Sequence, residues 1–429
     1  MLSSFLVRNF RSILELRLDF SFAEGKAPNG YKTAEIMPFL EAGDGQRLVP
    51  CVAYFGANAA GKTNLLKAFS TLKTLLREGG RLADLFEPNL LNSKFPETTF
   101  EPAFVIGADA FTYRITYSQT AISEELLLKN GDPVFHIRKL DPEFSNAICS
   151  ATYTKEKLAD VLRVECTDGE GRQTKPFLHR IGTAYAGLHA DLKNVFGYFG
   201  GRVKFFTNDG PMWLPVAVEI LAGAMGSDQT AALREITDLV RRADIEISAL
   251  DIVRREAPAD EVMIPGDILR IDRQTGSRHA YSITATHQDA TGNPVLLNFI
   301  KHESAGTQRL AGLVGLILAA LKTGGVFLVD ELECSLHPLL MRELVLLFKK
   351  PRHNPLNAQL IFTTHNTDIL DDSILRLSEI ALVRKTVANG TLVRRLVDLK
   401  DDGEDIRNVT NFRKQYLAGF YSGVPHPAL

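Results

Sequence analysis

The sequence predicts an α/β fold with parallel strands and further half-buried strands. Three observations predict it. The apolar, β-prone run Val49-Pro50-Cys51-Val52-Ala53-Tyr54-Phe55 passes through a Gly-containing loop, Gly56-Ala57-Asn58-Ala59-Ala60-Gly61-Lys62-Thr63, into a helix-period pattern that opens at Asn64. Far downstream, Val326-Phe327-Leu328-Val329 reads as a buried strand ending on two carboxylates, Asp330 and Glu331. Between them, Phe111, Tyr113, Ile115 and Tyr117 alternate with smaller or polar partners, the signature of a half-buried strand.

At 429 residues the chain has room for two or three domains, or for one domain carrying a large insertion. The balance of 49 basic against 51 acidic residues gives a net charge of −2, so bulk charge does not mark a nucleic-acid binder and any such contact must come from a local patch. The four cysteines, Cys51, Cys149, Cys166 and Cys334, form no Cys-x-x-Cys pair, which argues against a zinc site or a disulfide framework and fits a reduced cytoplasmic setting. Met1 to Phe10 lacks the pattern of a secretory leader. The longest apolar run, Leu310 to Leu321, stops at Lys322, short of the ~20 residues of a membrane span, so it is expected to be a buried helix.

In chain order, Phe5 to Asn9 and Leu14 to Phe20 read as strands, followed by a polar loop at Ala23 to Gly30. The loop Gly56 to Thr63 then has the spacing of a phosphate-binding loop. A polyphosphate needs several backbone N–H groups aimed at it from a helix N-terminus, and glycine lets the backbone approach. In that pattern Gly56, Asn58 and Gly61 shape the loop, Lys62 reaches the β and γ phosphates, and the Thr63 hydroxyl ligates Mg²⁺. The structural alternative is a glycine turn before an ordinary helix. Leu126 to Leu128 before Asn130-Gly131-Asp132 suggests a hairpin, making residues 104 to 132 an antiparallel sheet.

From about 150 to 250 the texture turns helical: Tyr185, Leu188, Leu192, Val195 and Phe196 recur at helical spacing, as do Leu233, Ile236, Leu239 and Val240. Beyond it, Ile268 to Ile271 and Arg278 to Thr286 flank Gln274 to Ser277 as a second hairpin. Glu256 to Asp260 and Asp289 to Pro294 are the expected loops.

The carboxyl-terminal part supplies the rest of a site. Asp330 and Glu331 stand at the carboxyl end of a parallel strand, where open α/β sheets bind ligands. Asp330 would hold the Mg²⁺ shell and Glu331 would accept a proton from an attacking water. Alone, such a pair can equally be solvated charge capping a strand. Gln359 to Thr364 forms a second strand ending on His365, which can meet a γ-phosphate or the attacking water, or can serve as a structural hydrogen-bonder. Upstream, Ser304 and Gly306 in Glu303-Ser304-Ala305-Gly306-Thr307-Gln308-Arg309 open the apolar helix and offer a second anion-binding start, with an ordinary N-cap as the alternative.

In order, Gly56 to Thr63, Glu303 to Arg309, Val326 to Glu331, Ser335-Leu336-His337-Pro338 and Thr363-Thr364-His365 resemble the Walker A, signature, Walker B, D-loop and H-loop motifs of ABC-type ATPases of the RecF/SMC/OLD lineage. Arg8-Asn9-Phe10-Arg11-Ser12 resembles the segment with which such heads begin. Within the lineage the chain is similar to bacterial AAA-type ATPases of abortive-infection and retron defence loci, the AbiLi/RloA kind. That likeness rests on Ser304 to Arg309 and on the closing segment Arg413 to Pro425. Two positions depart: Ala305 replaces the first signature glycine, and Leu377-Ser378-Glu379-Ile380 stands where related chains often carry Arg-Asp-Gln-Ile.

The resemblance implies an ABC-type P-loop NTPase head built from N- and C-terminal segments, with an antiparallel β subdomain and a largely helical insertion. Its expected division is an N-terminal lobe at 1–130, a mixed helical and β insertion for sensing or partner docking at 131–294, and a C-terminal lobe at 295–429. It implies ATP and Mg²⁺, with Lys62, Thr63 and Asp330 holding Mg-ATP, Glu331 as base and His365 at the γ-phosphate. It also implies a homodimer with ATP sandwiched between heads, Ser304 and Gly306 completing the site of the other copy. The stretch after His365 is short for a nuclease domain of ~100 residues, so a separate effector protein is expected. Two functions remain: the regulatory ATPase of an anti-phage defence system, or a RecF-like repair ATPase that clamps DNA through basic pairs such as Arg241-Arg242, Arg254-Arg255 and Arg394-Arg395.

Overall fold

The computed structural model describes residues 1–23, 35–91, 94–185, 189–207, 213–243, 246–258, 265–271, 276–402 and 412–419. The amino-terminal strands β1 (Leu2–Phe10) and β2 (Ile13–Asp19) are followed by the short pair β3 (Leu40–Glu41) and β4 (Arg47–Leu48), then by β5 (Cys51–Phe55) and the helices α1 (Lys62–Arg77) and α2 (Leu82–Leu85). A meander follows: β6 (Thr98–Ile106), β7 (Asp109–Tyr117), β8 (Ile122–Lys129), β9 (Asp132–Arg138) and β10 (Asp141–Phe144). The middle of the chain holds α3 (Lys155–Glu165), α4 (Phe177–Ala184), α5 (Ala190–Gly197), β11 (Val203–Phe206), α6 (Trp213–Met225) and α7 (Gln229–Arg242). A second sheet is built from β12 (Ala249–Glu256), β13 (Asp267–Ile271), β14 (Arg278–Gln288) and β15 (Pro294–Asn298). The carboxyl-terminal part runs through α8 (Phe299–His302), α9 (Ala305–Thr323), β16 (Val326–Val329), α10 (Pro338–Lys349), β17 (Gln359–Thr363), β18 (Ile380–Thr386), β19 (Gly390–Arg395) and α11 (Phe412–Leu417).

Thirteen strands form one sheet in the order β10-β9-β8-β7-β6-β1-β2-β19-β18-β5-β17-β16-β11. The α/β head assembled from both chain ends is therefore observed. Its parallel part is β18, β5, β17, β16 and β11, and β5 from the amino-terminal end lies between two carboxyl-terminal strands. The rest is antiparallel. Asn130 and Gly131 both take positive φ in the β8–β9 hairpin, as a tight turn between twisted strands requires.

The stretch 131–294 does not stand apart from this sheet. Its β11 pairs in parallel with β16, and the Asp330 N–H donates to Phe206 O at 3.1 Å. Helix α5 carries Leu192, Val195 and Phe196, and α7 carries Leu233, Ile236 and Val240, as their spacing predicts. Tyr185 lies just beyond α4, and Leu188 is outside the described residues. So are most of the Ala23 to Gly30 loop, residues 259–260 and 272–275 of the two later turns, and the end of the closing segment. The strands either side of 272–275 do pair as a hairpin.

Strand β5 is buried on both faces, which explains its unbroken apolar run. Cys51, Ala53 and Phe55 pack with α6, α9 and α10, whereas Val52 and Tyr54 pack with α1. Helix α9 is apolar nearly all round because α6, α7 and the sheet enclose it. Ser304 caps its start and Gly324, with φ 63°, ends it. Gly312 and Gly315 let α6 approach closely: a Cβ there would lie 2.6 Å from Trp213 Cβ and 2.7 Å from Ala217 Cβ.

The departing segment Leu377-Ser378-Glu379-Ile380 closes over β5. Glu379 is fully buried, its Oε2 accepting from Lys349 Nζ at 2.5 Å and from the Arg376 N–H at 2.7 Å. Cys51 Sγ donates to its Oε1 at 3.3 Å. Among the described residues no helix is long and apolar enough to cross a membrane.

Candidate functional site

The loop between β5 and α1 holds its shape by contacts that only glycine permits at two positions. A Cβ on Gly56 would sit 2.3 Å from Val383 O. One on Gly61, where φ is +103°, would sit 2.0 Å from Thr391 Oγ1. Thr391 braces the loop from β19: its hydroxyl lies 2.7 Å from Ser12 Oγ and 3.1 Å from Ala60 O, which accepts from it. Asn64 Nδ2 donates to the same Ser12 Oγ at 2.7 Å. Arg11, beside Ser12, pairs with Glu87 through two guanidinium hydrogen bonds of 2.8 and 2.6 Å.

Lys62 is buried and folds back over the loop, its ammonium donating to Gly56 O at 2.8 Å and Ala57 O at 3.1 Å. Burial lowers its pKa, while Glu333, Asp330 and Glu331 pull the other way. The ammonium is thus held at the loop with three carboxylates in front of it.

Those carboxylates follow β16. Thr363, wholly buried at the end of β17, donates its hydroxyl to Asp330 Oδ1 at 2.6 Å and accepts the Glu331 N–H at 2.8 Å. Glu331 takes the left-handed conformation, φ 49°, uncommon outside glycine. Arg309, from the first turn of α9, stacks on Phe206 with its guanidinium 4.7 Å from the ring centroid and donates to Glu331 O at 2.8 Å. Glu333 accepts the His365 N–H at 2.6 Å. His365 stands at the exposed edge of the cleft, where partial desolvation and then the nearby Lys62 ammonium lower its pKa.

The elements meet around a cleft of about 350 Å³ lined by Asn58, Gly61, Lys62, Thr63, Asp330, Glu331, Thr363 and His365, among others. Such a volume suits a small ligand. The donor set matches a magnesium-bound polyphosphate: backbone without Cβ, one ammonium, one exposed hydroxyl on Thr63, and carboxylates opposite. Gly56 lies beneath the loop, and its carbonyl anchors Lys62.

Ser304 and Gly306 do not line this cleft. Ser304 is exposed, with Oγ accepting from the Thr307 N–H at 3.1 Å. Gly306 packs on the turn after β16, where an added Cβ would meet Ser335 O at 2.8 Å. Neither residue therefore belongs to its own chain's cleft.

Residue-by-residue reading missed Lys385, Thr391 and Glu333. Lys385 lines the cleft from β18 and Thr391 braces the loop from the adjacent β19, and nothing local in sequence marks either. Glu333 had a signal: in Asp330-Glu331-Leu332-Glu333 it is a third acid two residues beyond the proposed base. Of the basic pairs, Arg255 pairs with Asp267 at 3.0 Å and Arg395 with Asp19 at 2.7 Å, while Arg241 and Arg242 are exposed at the end of α7.

A family model described as "AAA domain, putative AbiEii toxin, Type IV TA system" matches residues 53–163 and 223–371, leaving 164–222 between its two spans. No curated protein matches the chain. Among solved structures it is similar to the SMC head domain from Thermotoga maritima, at 14% identity and TM-score 0.41, with 92% of this chain and 98% of that chain covered. It is similar to an SmcHead bound to the C-winged helix domain of ScpA, also at 14% and 0.41, covering 92% and 96%. A third is cbiO1 from Clostridium perfringens, part of an ABC transporter complex, at 11% and 0.33, covering 94% and 93%.

Proposed function

The chain belongs to this AAA-domain family of P-loop NTPases, and from that premise we propose that it binds and hydrolyses ATP as a switch, acting as the regulatory ATPase of an anti-phage, abortive-infection-like system that controls a separate effector protein. The observation that carries the reading is the convergence of Lys62, Thr63, Asp330, Glu331 and His365 on one cleft from three separate stretches of chain.

Lys62 and the loop N–H groups hold the β and γ phosphates, and Thr63 with Asp330 hold the ion. Magnesium, when bound there, neutralises phosphate charge as it develops. Glu331, fixed at its backbone by Thr363 and Arg309, takes the proton of the attacking water. His365 donates a hydrogen bond to the γ-phosphate or accepts one from the attacking water. Ser304 and Gly306, which do not line their own chain's cleft, complete the cleft of a second copy, so ATP closes a homodimer and hydrolysis opens it. The defence role draws support from the family's description.

The test is phosphate release together with ATP-dependent sedimentation. Glu331→Gln is expected to abolish release and to trap an ATP-bound dimer, and Ser304→Arg is expected to block the dimer while sparing nucleotide binding. A Glu331→Gln chain that hydrolyses ATP at the parental rate removes the assigned base, and a Ser304→Arg chain that dimerises normally removes the sandwich. Co-expression with neighbouring genes checks the effector: toxicity only with a neighbour supports the switch.

A further inference from the structure

A second cavity, of about 560 Å³, lies away from the phosphate loop between α1, α9, α6 and the turn leading into β11. Its cationic groups are Lys73 on α1 and Lys204 on β11. Lys204 is 4% exposed, and its ammonium donates to Gly201 O at 2.7 Å and to Thr323 Oγ1 at 3.0 Å. Lys73 donates to Val203 O at 2.9 Å and stands 5.7 Å from the Phe205 ring centroid. Neither forms an ion pair with a described carboxylate: Glu78 lines the same cavity but lies beyond ion-pair distance of both.

Two ammonium groups facing one space, Lys204 buried and Lys73 half-buried, are a costly arrangement. Removing such a charge from water costs several kcal/mol, and a folded chain normally offsets it with a carboxylate. Burial and the mutual repulsion of Lys73, Lys204 and Arg202 lower Lys204 to about 8. Apart from Glu78, the remaining polar wall consists of neutral hydroxyls, Ser70, Thr74 and Thr323, beside the backbone of Gly200 and Gly201. Hydroxyls, glycine backbone and two cations that outnumber the single carboxylate, Glu78, are the groups that hold a phosphate.

We infer that this cavity binds a small phosphorylated metabolite, its phosphate held between Lys73 and Lys204. The volume accommodates a group of about nucleotide size. Trp213 and Phe205 supply an aromatic wall beside the cations. The site is distinct from the phosphate loop, since it takes in the far half of α1, Ser70 to Glu78, about three turns from Lys62. Its other wall, within Gly200 to Phe205 and Trp213 to Ile220, comes from the stretch between the two spans that the family model matches. A bound phosphate there touches both α1, which begins at the loop lysine, and α9, which begins at Ser304.

The inference does not rest on ATP hydrolysis, and its test avoids it. A Lys62→Ala chain, in which the loop lysine is removed, is titrated with inorganic phosphate and separately with adenosine monophosphate while Tm is measured. Each titration is expected to raise Tm by about 2 °C at tenfold the half-saturating concentration. The same chain carrying Lys73→Gln and Lys204→Gln is expected to show no rise. No rise in the first chain, or an equal rise in the second, overturns the inference. In case the substitutions disturb folding, lysine acylation of the unmodified protein is mapped by mass spectrometry. Phosphate is expected to slow modification of Lys73 and Lys204 at least fivefold, and unchanged rates at both overturn the inference equally.

Discussion

The hydroxyl of Thr363 donates to Asp330 Oδ1 at 2.6 Å while accepting the backbone N–H of Glu331 at 2.8 Å, so one side chain on β17 sets the orientation of both acids that end β16. Thr363→Val keeps the volume and β-branching but removes the hydrogen bonds. Leaving the Asp330 oxygen and the Glu331 N–H without that partner costs about 1–3 kcal/mol. The expected result is a fall in ATP hydrolysis of about 10- to 100-fold, with Thr363→Ser retaining most of it. Parental turnover in the valine variant would remove Thr363 from the site.

Arg309 acts on Glu331 through its carbonyl, and Glu331 occupies a backbone conformation that needs such a restraint. Arg309→Ala is expected to lower kcat by about 10- to 100-fold and to leave KM for ATP nearly unchanged, because substrate binding rests on the loop and not on this contact. A matched rise in KM would show that Arg309 serves binding instead.

The buried pair of Lys349 and Glu379, both without solvent exposure, ties α10 to the segment that covers β5. Lys349→Met strands a buried carboxylate and is expected to cost about 3–5 kcal/mol, read as a large drop in the urea midpoint. Lys349→Met combined with Glu379→Leu is expected to recover most of that loss. A double variant less stable than the single one would contradict the assignment.

Lys204 gives a pH dependence with a definite sign. Its pKa falls from 10.5 to about 8 on folding, chiefly through burial. Between those values the unfolded chain holds a proton that the folded chain has released, so stability rises with pH across this window. Compared with Lys204→Met, the unsubstituted protein is expected to gain about 3 kcal/mol between pH 7.5 and 10.5, measured by urea unfolding at each pH. A constant difference between the two would mean that Lys204 titrates normally.

The site was legible where its chemistry is local. Gly56 to Thr63 and Val326 to Glu331 are continuous runs whose strand, turn and helix are encoded by neighbouring residues, and both lie where their spacing predicts. Thr363 and His365 were readable as a strand end, although the hydrogen bonds from Thr363 to Asp330 and Glu331 depend on β17 lying beside β16. Thr391 and Lys385 were not readable, because they reach the loop through the pairing of β19 with β18 and of β18 with β5. The role of β11 was hidden for the same reason: its four residues, Val203 to Phe206, are too few for periodicity to distinguish a sheet strand from a helix end.

The position of β5 between β17 and β18 has a consequence for synthesis of the protein. The phosphate loop is translated well before either strand that flanks β5, so β5 has no sheet neighbour until roughly 300 further residues have been added. At ~5–20 residues per second that interval is roughly 15–60 s. Throughout it, Cys51 to Phe55 is an unpaired apolar segment that a nascent chain must shield. A ribosome stalled before β17 should therefore carry a chain that cannot retain nucleotide and is prone to aggregate.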